Sequence, residues 1–306
     1  MGKGLVIRCA VVLVLCCTFA RYAGAAVVGW GNTTYGQTSA PSGDFSTVAL
    51  GGYHSLGIRP DGTLAGWGTN AYGQISVPSG TFRKADGGEF YSLGLRSDGT
   101  LAGWGRNDYG QTNVPSGTFT NIATGFWHGL GIRQDGMLAG WGFNYYGQTT
   151  VPAGTFIAIA GGHNHSLGIR SNGTLVGWGA NNFGQINVPS GTFKAVAAGQ
   201  YFSIGLRTDG TLAGWGTNGQ DQINVPAGTF TAIDAGTFHG VALRTDGTVV
   251  AWGYNYNGQT NVPSGLFSAV AAGGSANLAI EVVPEPAGLG LLAVAGLMLV
   301  RRQRRD

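Results

Sequence analysis

The stretch "AGWGTNAYGQISVPSGTF" occupies Ala65–Phe82, and near copies follow as "AGWGRNDYGQTNVPSGTF" from Ala102 and "VGWGANNFGQINVPSGTF" from Val176. A catalytic site is built once, so a recurring phrase reports architecture before chemistry. Its anchor is tryptophan: Trp30, Trp67, Trp104, Trp141, Trp178, Trp215 and Trp252 stand 37 residues apart. A proline follows each by eleven residues, from Pro41 to Pro263, and a glutamine recurs in step from Gln37 to Gln259. Seven units without an insertion or deletion define a repeat architecture, in which each unit is one supersecondary element that cannot bury its faces alone.

Each unit holds three strand-like pieces, seen in "FIAIAGG" (Phe156–Gly162), "HSLGIR" (His165–Arg170) and "TLVGWG" (Thr174–Gly179). Between the second and third lies an Asx-Gly pair, which tolerates positive φ and signals a tight hairpin. Small sheets of this period either stack into an open solenoid or close into a ring. The ends of the chain decide between them. "VVGWG" (Val27–Gly31) is a third strand without its predecessors, and "FSAVAAG" and "ANLAIEV" after Leu266 are a first and second strand without their third. Joining them completes a seventh unit and removes the exposed edges a solenoid would keep. The fold class that follows is an all-β, seven-bladed β-propeller of three-stranded blades, spanning residues 26–282, with the last blade closed by the N-terminal strand.

The phrase "GGYHSLGIRPDGTLAGWG" (Gly51–Gly68) resembles the repeat of the regulator-of-chromosome-condensation superfamily, and the resemblance implies a seven-bladed propeller. The short unit is similar in blade type to bacterial members such as the β-lactamase-inhibiting propeller protein. The long blade insertions of the eukaryotic members are absent, which argues against nucleotide exchange on a small GTPase.

Composition agrees with many short strands and tight turns: 57 glycines, 43% hydrophobic and 11% aromatic residues, with only 10% charged. The formal net charge of +3 is carried by the ends, since ten Lys or Arg stand against twelve Asp or Glu between Val27 and Val283. No basic face is left to track phosphates, so nucleic acid is not an expected partner. Residues 1–25 read as a secretory signal peptide, with a basic start, a short apolar run and a small-residue site at Ala23–Ala25. Cys9, Cys16 and Cys17 all lie within it, so a processed chain would have no thiol chemistry. Residues 283–306 resemble the PEP-CTERM sorting signal of Gram-negative bacteria. Pro284, Glu285 and Pro286 match the motif, an apolar run spans Ala287–Val300, and an arginine cluster ends the chain. That resemblance implies an exosortase-type processing enzyme as partner, transient anchoring in the inner membrane, and delivery to the cell surface or an extracellular matrix. A simple membrane anchor is the alternative.

With the first strand running upward, the first-to-second turns and the start of each long connection share a top face. Just before each second strand stand Tyr53, Phe90, Trp127, Asn164, Tyr201, Phe238 and Ser275. The large rings among them, Tyr53, Phe90, Trp127, Tyr201 and Phe238, are the candidate ligand-binding residues, because exposed aromatic patches mark interaction sites. Trp127 leads the set as the one tryptophan outside the repeat position. The recurring "YGQ" rings, such as Tyr72, Tyr109, Tyr146 and Phe183, are expected to cap blade interfaces. His54, His128, His165 and His239 share one position and are expected to pack and hydrogen-bond within their blades. His163 and His165 form an H-x-H pair without a nearby carboxylate, which is insufficient for a metal site. Asp86 and Asp234 replace an alanine in two units, with Glu89 and Asp108 on the same face as Asp86. The arginines from Arg59 to Arg244 are expected to form a ring of ion pairs with the hairpin aspartates. No unrepeated catalytic constellation stands out, and no cofactor or metal is expected. The reading is an exported, non-catalytic binding module for a protein or glycan. The alternatives are a ligand-free structural component of an extracellular matrix and, less well supported, an enzyme acting on an extracellular polymer.

Overall fold

A computed structural model of the protein describes residues 26–282; the signal-peptide and sorting-signal readings, at residues 1–25 and 283–306, lie outside the described residues. Twenty-one strands form seven antiparallel three-stranded sheets. Blade 1 contains β2 (Thr47–Leu50), β3 (His54–Ile58) and β4 (Leu64–Gly68). Blade 2 contains β5 (Phe82–Gly87), β6 (Tyr91–Arg96) and β7 (Leu101–Gly105), and blade 3 contains β8 (Phe119–Thr124), β9 (His128–Arg133) and β10 (Leu138–Gly142). Blade 4 contains β11 (Phe156–Gly161), β12 (His165–Arg170) and β13 (Leu175–Gly179), and blade 5 contains β14 (Phe193–Ala198), β15 (Phe202–Arg207) and β16 (Leu212–Gly216). Blade 6 contains β17 (Phe230–Ala235), β18 (His239–Arg244) and β19 (Val249–Gly253). The seventh blade is ordered β1-β21-β20, joining β20 (Phe267–Gly273) and β21 (Ala276–Glu281) to the N-terminal β1 (Val27–Gly31). Trp30 lies opposite Asn277 and Val27 opposite Ile280, so the ring closes by the pairing that the chain ends foretell.

The core is shared between blades rather than enclosed within one. One buried cluster joins Leu130 and Ile132 of blade 3 to Phe156, Ile159 and Trp178 of blade 4. The seventh blade belongs to two such clusters: Trp30, Phe267 and Ala279 pack with Val241 and Leu243, while Ala271, Ala276 and Leu278 pack with Phe45, Leu50 and Trp67. Each side-chain layer therefore needs its neighbour to leave water, as expected where one sheet has too little area to bury both faces.

Recurrent polar contacts set the spacing. The indole N–H of Trp67 and the hydroxyl of Ser55 both donate to the Gln37 carbonyl, at 2.8 and 2.7 Å. The same pair recurs in blade 2, where Trp104 and Ser92 donate to Gln74. In the closing blade Trp30 donates to Gln259 at 3.0 Å, and the Asn277 amide stands in for the serine. The glutamine side chain serves its own loop, with Gln74 Oε1 accepting the backbone N–H of Tyr72. Glycine after each tryptophan adopts positive φ, +99° at Gly68, where a Cβ would run into the Tyr53 carbonyl.

Two expectations are corrected here. The repeated histidines are buried, but they bond across blades: His54 Nε2 meets Ser92 Oγ at 2.8 Å, His128 meets Ser166, His165 meets Ser203, and His239 meets Asn277. The arginines, in turn, do not pair with the hairpin aspartates. Asp61 Oδ1 accepts both the N–H and the hydroxyl of Thr63, which satisfies it locally. The Arg59 guanidinium instead lies 4.9 Å over the Phe45 ring and reaches the Ser42 carbonyl. Arg96, Arg133, Arg170, Arg207 and Arg244 repeat the arrangement over Phe82, Phe119, Phe156, Phe193 and Phe230. A guanidinium over a ring face is attracted to the ring quadrupole and covers apolar surface with its stem. Among the described residues the ion pair is that of Arg106 with Asp108.

Candidate functional site

The seven turns between first and second strands surround the upper mouth of the central channel, where they line a cavity of about 160 Å³. Every blade contributes. The innermost ring is one repeat position, occupied in order by Gly52, Glu89, Phe126, His163, Gln200, Thr237 and Gly274. Its backbone is tied from blade to blade: Gly52 N–H donates to Gly88 O, Glu89 to Phe126, Phe126 to Gly162, His163 to Gly199, Gln200 to Thr237, and Thr237 to Gly274. The ring is held by main-chain groups that every residue carries, so its side chains are free to differ. They do differ, with six residue types over seven positions.

Asp86 and Asp234 lie deeper in the same cavity, on the inner strands of blades 2 and 6. Asp86 accepts N–H bonds from Gly87 and from Thr124 of the next blade, and Asp234 accepts them from Ala235 and Ala272. Burial raises both carboxyls, to about 7 for Asp234, because a charge there lacks bulk water. Glu89 is also pushed up to about 7 by burial. Lys84 is lowered by burial, with Asp86 and Asp234 opposing the shift, and its ammonium donates to Asn121 Oδ1 at 2.6 Å. Burial lowers His163 as well, which disfavours its charged form.

The five aromatic residues singled out in the sequence sit half-buried one step outside this ring. Tyr53 stacks on Phe90 at 5.4 Å, and Trp127 stacks on Tyr109 at 4.8 Å. Tyr201 packs on Phe183 at 4.7 Å, while Phe238 stands apart with Tyr254 at 6.2 Å. The structure thus joins Tyr53, Phe90 and Trp127 into one arc, linked by the Arg106 guanidinium, which lies over Tyr72, Phe90 and Trp127. Tyr201 reaches the arc through His163 at 6.1 Å and Phe126, whereas Phe238 belongs to a separate pair. The "YGQ" rings Tyr72, Tyr109 and Phe183 pack on Phe90, Trp127 and Tyr201 of the following blade, as expected of interface caps, yet they stay 48%, 42% and 50% exposed, and Tyr145 beside Tyr146 is 80% exposed. They form the outer rim of the face.

Phe126 and Lys84 were not marked by the sequence. Phe126 lines the mouth and packs against His163 at 4.0 Å and Trp127 at 5.1 Å. The available signal was its column, the most varied of the turn, one residue before the conspicuous aromatics. The H-x-H pair is split: His163 is in the turn, whereas His165 is buried on β12 and bonded to Ser203. No group of three His, Cys, Asp or Glu side chains among the described residues can hold a metal ion. No helix among them is long and apolar enough to cross a membrane.

The sequence profile of the "Regulator of chromosome condensation (RCC1) repeat" matches residues 45–74, 82–111, 119–148, 156–185, 193–222 and 230–259, more than half of the chain. This chain belongs to the RCC1 repeat family. Solved structures are similar to it in fold. In the crystal structure of Kap60 bound to yeast RCC1 (Prp20), the matching chain is 18% identical with a TM-score of 0.74, over 87% of this chain and 91% of that one. Prp20p from Saccharomyces cerevisiae, described with its binding properties to Gsp1p and histones, is 17% identical over 90% and 95%, also at 0.74. The ectodomain of the Physcomitrella patens receptor kinase CR4 is 24% identical over 79% and 71%, at 0.68. At these identities the likeness establishes the RCC1-type fold alone. No curated protein matches the chain in sequence.

Proposed function

We propose that this RCC1-repeat protein is a non-catalytic binding module that docks a partner protein on its channel-mouth face. The observation that carries the reading is the mouth ring, where a backbone tied blade to blade presents side chains that differ at almost every position. Such a surface has paid its ordering entropy in folding, and its exposed rings supply contact area with few rotamers to lose. The yeast structures support a protein partner by analogy, since they concern Kap60, Gsp1p and histones as partners of Prp20. The leader-like residues 1–25 and the Pro284-Glu285-Pro286 motif with its apolar run and arginines support export, processing by an exosortase-type enzyme and presentation at the cell surface. A displayed-peptide library panned on the full chain tests the docking face. Tyr109→Ala and Tyr145→Ala should reduce capture of the enriched peptides about tenfold with melting unchanged; capture indifferent to both would end the reading.

A further inference from the structure

The fold does not require the two aspartates of the channel. At their repeat position the other five blades carry Ala49, Ala123, Ala160, Ala197 and Ala271, and those blades form the same three-stranded sheets. Carboxylates placed where alanine suffices cost desolvation, and each still has lone pairs beyond the two N–H groups it accepts. Blades 2 and 6 are three apart one way round the ring and four the other, so Asp86 and Asp234 stand on opposing walls. Glu89 adds a third carboxylate above them at the mouth. The cation that bears on Asp86 and Asp234 is Lys84, whose ammonium is bonded to Asn121. Three carboxyls face one ammonium, so when they ionise the mouth carries an excess of negative charge in a chain that is only 10% charged.

An anion is repelled from this cavity, and a metal ion finds no trio of ligands. A cationic side chain suits it in charge, in size and in the apolar Phe126 ring of the lining. The rim already shows the same chemistry, since the Arg106 guanidinium rests 5.0 Å from the Tyr72 ring centre. Resting on the reading of this face as a protein-docking surface, we propose that the channel mouth receives a lysine or arginine side chain of the partner. Its cationic head sits among Glu89, Asp86 and Asp234, and its methylene stem lies against Phe126.

Entry of a cation favours the ionised carboxylates, so binding releases protons and strengthens as pH rises through about 7, where Glu89 and Asp234 titrate. The groups around them do not reverse this sign. Burial disfavours the charged form of His163, Tyr53 is raised by burial and by Glu89, and Lys84 is already engaged with Asn121.

The test titrates acetyl-Gly-Lys-Gly-amide and its norleucine counterpart into the full chain at low salt, at pH 6 and pH 8, by NMR. The lysine peptide should bind at least about fivefold more tightly than the norleucine peptide, and more tightly at pH 8. Glu89→Gln and Asp234→Ala should each lose about fivefold; the second installs the residue five blades already use, so the fold survives it. Equal binding of the two peptides, wild-type binding by the double variant, or no shift at ~10 mM peptide overturns the proposal. Tyr145→Ala separates the two readings. If it and Tyr109→Ala both leave displayed-peptide capture unchanged while the lysine titration holds, the wider docking face fails and the cationic site stands. If capture depends on Tyr145 but lysine is not preferred, the docking face stands and the cationic site fails.

Discussion

The two ends of the channel are both tied blade to blade through the main chain, and they differ in what the side chains add. At the hairpin end the blades are tied by main-chain bonds such as Phe82 N–H to Gly62 O, and constant side chains add to them: within each blade an arginine covers a phenylalanine and grips a carbonyl, and an Asx side chain caps its own turn. Those positions are nearly constant from unit to unit, because changing the side chain removes the bond. At the mouth the blades are joined through N–H and C=O groups, and the side chains vary from glycine to phenylalanine. Variation is tolerated where the main-chain tie has no side-chain bond beside it, and that is where a recognition surface can be written without disturbing the ring.

Deleting Val27–Gly31 should break the comparison most severely. The seventh blade would lose its outer strand together with the Trp30 contacts in its core cluster. Thermal melting should fall by at least ~10 °C, or copies should associate through the open edge in size-exclusion chromatography. A truncation that melts like the parent would show that closure does not hold the ring. Next in size is a matched pair of ring truncations. Phe193→Ala, which removes a fully buried residue, should cost about 3–5 kcal/mol in urea unfolding, whereas Phe126→Ala at the mouth should cost under ~1 kcal/mol. Similar losses would erase the distinction between scaffold and mouth.

Acid sensitivity sharpens the contrast within the scaffold. Burial depresses His128 and His165 to about 3, and His54 and His239 to about 4. Depressed values mean that this stability is complete above the unfolded histidine pKa of ~6.5 and is lost as pH falls through 4 to 3. Glu89 and Asp234 act with the opposite sign, since their raised values make folding costlier as pH climbs from ~4 to about 7. His165→Phe, which copies Phe202 at the same repeat position, should spare on the order of 2–4 kcal/mol of the acid loss between pH 6 and pH 3. An unchanged acid limb would clear the buried histidines of that role. The smallest effect belongs to Asp221, which adopts φ +58° where other units place a positive-φ glycine such as Gly184. Asp221→Gly should raise stability by about 1 kcal/mol, read as a shift in the urea midpoint.

The ring was legible because it depends on counting. A fixed period, a third strand at one end and two strands at the other leave little choice of topology. The mouth was harder, since the eye is drawn to Tyr53 and Trp127 by their size, while the turn delivers the residue before them, Gly52 and Phe126, to the channel. Likewise, opposite charges close in sequence suggest pairs such as Arg59 with Asp61. The threonine two residues on satisfies the aspartate first, and the arginine finds a ring and a carbonyl across the loop. Partners supplied by another part of the chain are invisible to local spacing. The recurrence of the "YGQ" rings did mark a structural role, since Tyr72, Tyr109 and Phe183 pack on the next blade, but it did not reveal how much of each ring stays exposed.

One detail of the closing blade sets how the molecule is held. Val27 pairs with Ile280, and the Ala26 carbonyl accepts the N–H of Glu281, so chain entry and chain exit meet at the hairpin side of the disc. Any tether continuing from either end grips the propeller from behind. The mouth then looks away from whatever surface carries the tether, and a visiting protein approaches it without passing the attachment.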